Sequence, residues 1–313
     1  MSHLANSDAP REPLVSVILL NWNTFEVTRD CLASLRRMDY RNFEVVVVDN
    51  GSVDSSVEQL QEADPEIRVI RNGANLGFSG GNNVGIRDAI GRGADYVLLL
   101  NNDTIVAPDF LTQLVTVAKS DPRIGLLNPK IYFLEPPDRL NYAGGEQRFW
   151  RLFPKTLGLR QKDVGQFDRM REVSFLTGCA LLIRAEVARK IGVLEEIYFH
   201  FFEDSEFSLR AIRAGYKGVY VPKAVIWHNE HYVTFKNHRD GFIEFYLARN
   251  HVVYARRHVP LPVWPVKIPF FCAWMIYRTL VFAGRFEGRK LRSLYKGFWA
   301  GCVARLPEED TSL

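Results

Sequence analysis

Asp103 closes the stretch Asn101-Asn102-Asp103-Thr104, directly after the apolar residues 97–100. A carboxylate there can ligate a divalent cation and so neutralise a phosphate-bearing leaving group. Mg²⁺ commonly takes one or two carboxylates and fills the rest of its shell with water and substrate phosphate oxygens. The same Asp can equally serve as a cap or turn residue ahead of Pro108. Asp49 follows the apolar residues 45–48 and precedes Gly51; it can accept hydrogen bonds from a ribose or close an Asx-turn. Residues 72–85 are rich in Gly and Asn but match neither G-x-G-x-x-G nor G-x-x-x-x-G-K-[ST], which removes the usual NAD and ATP fingerprints. They do open a helix, whose amides near 79–81 can face a phosphate. Glu203 and Asp204 stand at the head of an amphipathic segment and are crowded by the aromatics of 198–202. Such a pair can be ordinary dipole pairing, or a carboxylate held at a pocket wall to deprotonate a hydroxyl; the helix dipole favours its charged form and the aromatic surroundings its neutral one. His228 follows a strand-like run and can be a metal ligand or a structural histidine; the spacing to His231 is not that of H-E-x-x-H, which disfavours a zinc peptidase.

These residues recur at the ends of apolar runs, which is where an open α/β sheet places its ligands. Residues 15–20, 43–48 and 96–100 read as parallel strands buried on both faces, and 26–37, 53–62 and 79–90 as intervening helices. Alternation of this kind predicts a parallel α/β sheet with right-handed crossovers and a ligand at the carboxyl strand ends. The predicted strand ends are Asn21-Trp22-Asn23, Asp49-Asn50-Gly51-Ser52 and Asn101-Asn102-Asp103, all polar. The stretch 124–173 carries only short strand-like pieces. A helix is expected over 203–214, with strands at 217–221 and 224–227.

Composition narrows the class. With 313 residues, 47% hydrophobic and 24% charged, the chain can bury a large core. Its four cysteines form no C-x-x-C pair, which argues against a structural zinc site and fits a reducing compartment. Residues 1–12 lack the apolar run of a signal peptide. A net charge of only +4 makes nucleic acid an unsuitable partner, yet residues 236–305 hold about thirteen Lys and Arg against about three acids. The apolar run 268–277 is about ten residues, short of the roughly 20 needed to span a bilayer, and prolines 260, 262, 265 and 269 interrupt the approach to it. The expectation is interfacial helices lying on an anionic membrane surface, with a helical appendage packed on the core as the alternative.

Taken in order, Asn21-Trp22-Asn23, Val48-Asp49-Asn50-Gly51-Ser52, Asn75-Leu76-Gly77-Phe78-Ser79-Gly80-Gly81-Asn82, Leu100-Asn101-Asn102-Asp103, Thr177-Gly178-Cys179, Glu203-Asp204-Ser205-Glu206 and His228 resemble the family 2 glycosyltransferases, in particular their bacterial rhamnosyltransferase-like branch. The resemblance spans 14–231. It implies the α/β fold called GT-A, Rossmann-like, with a C-terminal helical, membrane-associating extension. The implied units are a disordered 1–13, a catalytic 14–235 (nucleotide-binding over about 14–105, acceptor-binding over about 106–235) and a basic aromatic tail, 236–313. Nucleotide-sugar contacts are expected from Asn21, Asn23, Asp49, Asn50, Ser52, Asn75, Gly77, Asn82 and Asn102. Asp103 and His228 would hold Mg²⁺ or Mn²⁺, and Asp204, with Glu203 beside it, would be the general base. One departure is visible: the first acid of the family's Asp-x-Asp motif is Asn101 here, a weaker metal ligand. No Gln-x-x-Arg-Trp motif of processive synthases is present. The implied function is inverting transfer of a single sugar, with dTDP-rhamnose as donor, to a lipid-linked or growing cell-surface glycan at the cytoplasmic face of the membrane. A UDP-hexose donor is the alternative, and a non-catalytic sugar-nucleotide-binding protein a more distant one. A nucleotidyltransferase is disfavoured because Asn21-Trp22-Asn23-Thr24 replaces the basic glycine-rich loop it needs after the first strand.

Overall fold

Strand β1 (Val15–Asn21) is apolar along nearly its whole length, with Val15, Val17, Ile18 and Leu19 fully buried. Residues shielded on both faces are what a central parallel strand requires. It pairs in parallel with β2 (Phe43–Asp49) on one side and β4 (Tyr96–Asn101) on the other, and β3 (Arg68–Arg71) extends β2. The computed structural model describes residues 11–229 and 240–307; Glu230, His231, the expected boundary at 235/236 and most of the expected N-terminal segment 1–13 lie outside them.

The sheet does not stop at residue 105. Its order is β10-β12-β6-β11-β4-β1-β2-β3, where β6 is Ile124–Phe133, β10 Arg171–Val173, β11 Ala180–Arg184 and β12 Lys217–His228. Short β7 (Leu140–Tyr142) pairs with β6, and β8 (Gly145–Glu146) and β9 (Lys155–Thr156) form a separate hairpin-like pair. Strand β11 lies antiparallel between β4 and β6, so the two expected catalytic segments share one sheet. Strand β6 is ten residues long and almost wholly buried, although its stretch of sequence reads as fragments. The expected strands at 217–221 and 224–227 are one strand, β12, with a register irregularity between Val221 and Val225. Pro222 lies in that interval and cannot donate to a ladder.

Helix α1 is Phe25–Leu35, α2 Ser56–Ala63 and α3 Gly77–Gly91, each within a few residues of expectation. Helix α3 carries several glycines, and each costs about 1 kcal/mol relative to Ala in a helix interior. They are there for packing. A Cβ on Gly85 would run into Ile18, and one on Gly81 would lie 2.5 Å from Leu20 Cδ1, so the missing side chains let α3 lie directly on β1.

Helices α4 (Phe110–Ser120), α5 (Ala185–Ile191) and α6 (Glu203–Arg213) complete the α/β body. Beyond residue 240 come α7 (Phe242–His258), α8 (Trp264–Gly284) and α9 (Gly288–Val303). Here the sequence reading needs correcting. The prolines do not hold the apolar segment to about ten residues: α8 runs 21 residues with Pro265 in its first turn and Pro269 inside it. A proline in the first turn removes no helical bond, because that amide has no partner in any helix. Over Leu261–Gly284 the chain is long and apolar enough to cross a membrane by length and composition, and most of that surface is exposed.

Candidate active site

Three neighbouring parallel strands end together. Asn21 is in register with Asp49, and Leu20 with Asn101. A buried polar network joins these ends: Asn102 Nδ2 donates to Thr24 Oγ1 (2.7 Å) and Thr28 Oγ1 (2.6 Å), and both hydroxyls donate to Asn21 Oδ1. Asn21 Nδ2 in turn reaches Ser52, Ser56 and, at 3.4 Å, Asp49. Polar side chains with every partner inside the protein stiffen the floor on which a site can stand.

Above this floor opens a cleft of about 290 Å³. Its walls include Asn50, Asn75, Gly77, Asn102, Asp103, Glu203, Asp204 and His228, so most of the expected site residues come together. Asn21, Asn23, Asp49, Ser52 and Asn82 do not line it. Asn21 is fully buried in the network. Asn23 and Ser52 tie the two strand exits together through Asn23 N–H to Ser52 Oγ (3.0 Å) and Val53 N–H to Asn23 Oδ1 (2.8 Å). Asp49 is buried and accepts from Ser52 N–H at 3.3 Å. Asn82 donates back to Phe78 of its own helix. Asn50 lines the cleft, but its amide is engaged with the 72–77 segment: it donates to Asn75 Oδ1 and the Gly77 carbonyl and accepts from Asn72 and the Leu76 N–H.

Asp103 and His228 meet because β5 (Thr104–Val106) pairs antiparallel with the end of β12, setting Thr104 opposite His228. His228 Nε2 lies 3.1 Å from Asp103 Oδ1 and 3.3 Å from Asn101 Nδ2. Burial works to lower the His228 pKa, but the adjacent Cys179 sulfur and Asp103 carboxylate outweigh it and hold it well above its ordinary value. Asp103 Oδ1 is buried and accepts no hydrogen bond of good geometry.

Asp204 faces the same cleft from the first turn of α6. Its carboxylate accepts from Gly178 N–H (3.2 Å) and Ser205 N–H (2.7 Å). Burial nonetheless wins, and its pKa is raised. Glu203 Oε2 is buried without a partner, and burial, then the Asp204 charge, push Glu203 well above the usual carboxylate range. Two adjacent buried acids resist ionising together. Three hydrogen bonds that favour a charge, from Gly178 N–H, Ser205 N–H and Ser205 Oγ, converge on Asp204, whereas Glu203 Oε2 has none, so the surroundings favour the charge on Asp204 over Glu203.

The loop leading into that turn is strained. Phe199, Phe201 and Phe202 have φ of 60°, 69° and 73°, values bulky side chains avoid at about 1–3 kcal/mol each. The loop also corrects the expectation for α3: the amides of Phe78 (2.6 Å) and Ser79 (3.3 Å) donate to the Phe199 carbonyl, and Gly77 N–H to Asn75 Oδ1. The head of α3 is capped by protein, not open to phosphate. A Cβ on Gly77 would lie 2.5 Å from Phe199 O, which explains a glycine there. Sequence reasoning missed the Thr177–Cys179 stretch as a cleft wall, and missed Phe242 altogether. Phe242 belongs to α7, outside the expected catalytic segment; the aromatic run that follows it was the only local signal.

A Rossmann-like sheet with one antiparallel strand inserted, and an acid-lined cleft at its carboxyl edge, defines the GT-A class. Likeness to solved structures agrees: the mannosyltransferase PcManGT of Pyrobaculum calidifontis, solved with GDP-Man and Mn²⁺, superposes with a TM-score of 0.54 at 18% identity, covering 95% of this chain and 78% of that one. The chain belongs to glycosyltransferase family 2, whose family model, described as glycosyl transferase family 2, matches residues 16–192. It is 30% identical over 226 residues to the N-acetylglucosaminyl-diphospho-decaprenol L-rhamnosyltransferase of Mycobacterium tuberculosis, covering 65% of this chain and 72% of the relative. It is also 31% identical over 237 residues to the Sinorhizobium fredii protein y4gI, covering 70% of this chain but only 24% of that longer relative.

Proposed function

We propose that this transferase moves a single rhamnose from dTDP-rhamnose to a hydroxyl of a lipid-linked sugar at the cytoplasmic face of the membrane, with inversion at the anomeric carbon. The observation that carries the chemistry is that Asp103 and Asp204 line one cleft from different elements. The donor and acceptor classes are supported by the Mycobacterium tuberculosis relative, whose name specifies an L-rhamnosyl group and a diphospho-decaprenol acceptor.

Asp204 takes the proton from the acceptor hydroxyl as that oxygen attacks the sugar. A raised pKa suits it, since a base works best when its pKa approaches the operating pH. Glu203, whose charge is disfavoured by burial and by Asp204, would not add a second negative charge beside the attacking oxygen. Asp103 and His228 would hold a divalent cation: the buried carboxylate and the imidazole nitrogen lie 3.1 Å apart at the cleft wall, and the cation would take the place of the proton this pair otherwise shares. Among the described residues no group of three or more His, Cys, Asp or Glu side chains is placed to hold a metal, so the donor's phosphates would complete the shell, as is usual for Mg²⁺ or Mn²⁺. When bound, the cation would neutralise the departing diphosphate.

The test is turnover of dTDP-rhamnose and a panel of UDP-hexoses with a polyprenyl-diphosphate-linked N-acetylglucosamine as acceptor. Asp204→Asn should fold, bind nucleoside diphosphate and lose transfer by about 10²–10⁴-fold. Normal turnover in that variant removes Asp204 from the base role; preference for a UDP-hexose replaces the donor.

A further inference from the structure

Every carbonyl from Ile197 to Phe201 is held by a group on another element. The Phe199 carbonyl caps α3. The other four are held by two consecutive residues of α7. Arg249 Nη1 donates to the Ile197 carbonyl at 2.6 Å. Asn250 Nδ2 donates to the carbonyls of Tyr198 (2.7 Å), His200 (2.8 Å) and Phe201 (2.9 Å). Asn250 is fully buried. Its orientation is set by chemistry: Arg249 Nη1, which can only donate, lies 2.7 Å from Asn250 Oδ1, and the three carbonyls can only accept. The amide therefore presents its NH₂ to the loop.

We infer that Asn250 is a positioning residue for transfer, a clamp on α7 that locks the strained 198–202 loop and thereby aims Asp204 and Glu203 into the cleft. The inference rests on the proposed role of Asp204. Three aromatic residues at positive φ run straight into that acid pair, so the loop has no intrinsic preference for its conformation. Conformations of this kind persist only when the surroundings over-determine them. Asn250 supplies that determination with one side chain, its two N–H bonds shared among three carbonyls. Without it the His200 and Phe201 carbonyls lose this donor, while the Tyr198 carbonyl keeps the His200 N–H, and the loop would be released. The donor side of the cleft has bonds of its own that do not pass through this loop: Asn50 holds Asn75, Leu76 and Gly77, and Gly77 N–H donates to Asn75 Oδ1. Loss of the clamp should reach the acids before it reaches the nucleotide. Helix α7, in the segment that reads from sequence as a membrane tail, is on this view part of the catalytic apparatus.

The experiment uses the full chain with Asn250→Leu, close in size but without a donor. Hydrogen exchange of the 198–204 amides should accelerate at least tenfold. Transfer kcat should fall at least thirtyfold, while the donor KM and the Kd for dTDP or UDP with Mn²⁺ stay within threefold. Unchanged exchange overturns the clamp, and faster exchange with unchanged kcat overturns the positioning role. A parallel fall in kcat and nucleotide affinity also overturns it, since that marks general damage. Should Asn250→Leu not fold, Arg249→Met removes the Ile197 bond and the brace on Asn250. It should show the same split, with kcat down at least threefold, and no split in that variant counts against the inference. The exchange readout assumes nothing about Asp204, so a failed base assignment and a failed clamp are told apart.

Discussion

His251 sits one residue beyond the clamp, 2% exposed, with its ring stacked 4.7 Å from that of Phe271 at 18°. Burial drives its pKa down to about 3, so the folded protein keeps it neutral. An unfolded chain protonates the same imidazole near pH 6.5. Stability from this residue is therefore complete above about pH 6.5 and is lost as pH falls toward 3. By pH 5 the loss is about 2 kcal/mol. His251→Phe keeps the stack without titrating, so the drop in unfolding free energy between pH 7 and pH 5, read from urea titrations, should be smaller in the variant by that amount. An unchanged gap would mean the histidine is not buried neutral. Asp103 offers a second check at this scale. If it grips a cation, Asp103→Asn should cut the gain in nucleoside diphosphate affinity that Mn²⁺ provides by roughly tenfold or more, measured by calorimetry with and without the metal. Equal gain in both proteins would assign Asp103 to structure alone.

Among the elements, the two ends of the molecule share a packing device. Helix α3 reaches β1 through Gly81 and Gly85, and α9 reaches α7 through Gly297 and Gly301. A Cβ on Gly297 would collide with the backbone carbonyl of Phe245, and one on Gly301 would lie 2.6 Å from the Arg249 carbonyl. Backbone cannot swing aside as a side chain can, so Gly297→Ala should cost about 1–3 kcal/mol. That cost should register as a lower thermal midpoint. A midpoint equal to the parent's would show that the helices are not in close contact. Gly81 read from sequence as part of a helix head facing phosphate, and Gly297 and Gly301 gave no signal, because a small residue gives no hint of what approaches it. Helices α1, α2, α3 and α6 were legible from their period to within a few residues at each end, whereas the apolar run at 268–277 understated α8.

For the molecule as a whole, most of the large hydrophobic side chains left exposed lie at or beyond Leu261, alongside the exposed cations Arg285, Arg289, Arg292 and Lys296. A surface apolar and basic at once suits an anionic bilayer, with each cation worth about 1 kcal/mol near it. The full chain should float with anionic vesicles and come off as salt rises. Changing those four residues to Gln should weaken binding by roughly 10²–10³-fold; salt-insensitive binding in the parent would refute the electrostatic part. The sequence alone determined the class of fold, the strand ends that carry polar side chains and the basic tail, because apolar period and turn chemistry are local and each is written in consecutive residues. The tertiary structure decided which of those polar residues face the cleft and which are bound into its floor. It decided that His228 reaches Asp103, through pairing of β5 with β12, and that a helix beyond residue 240 holds the loop before Asp204. Contacts of that kind depend on the register between segments far apart in the chain, and no local pattern encodes it.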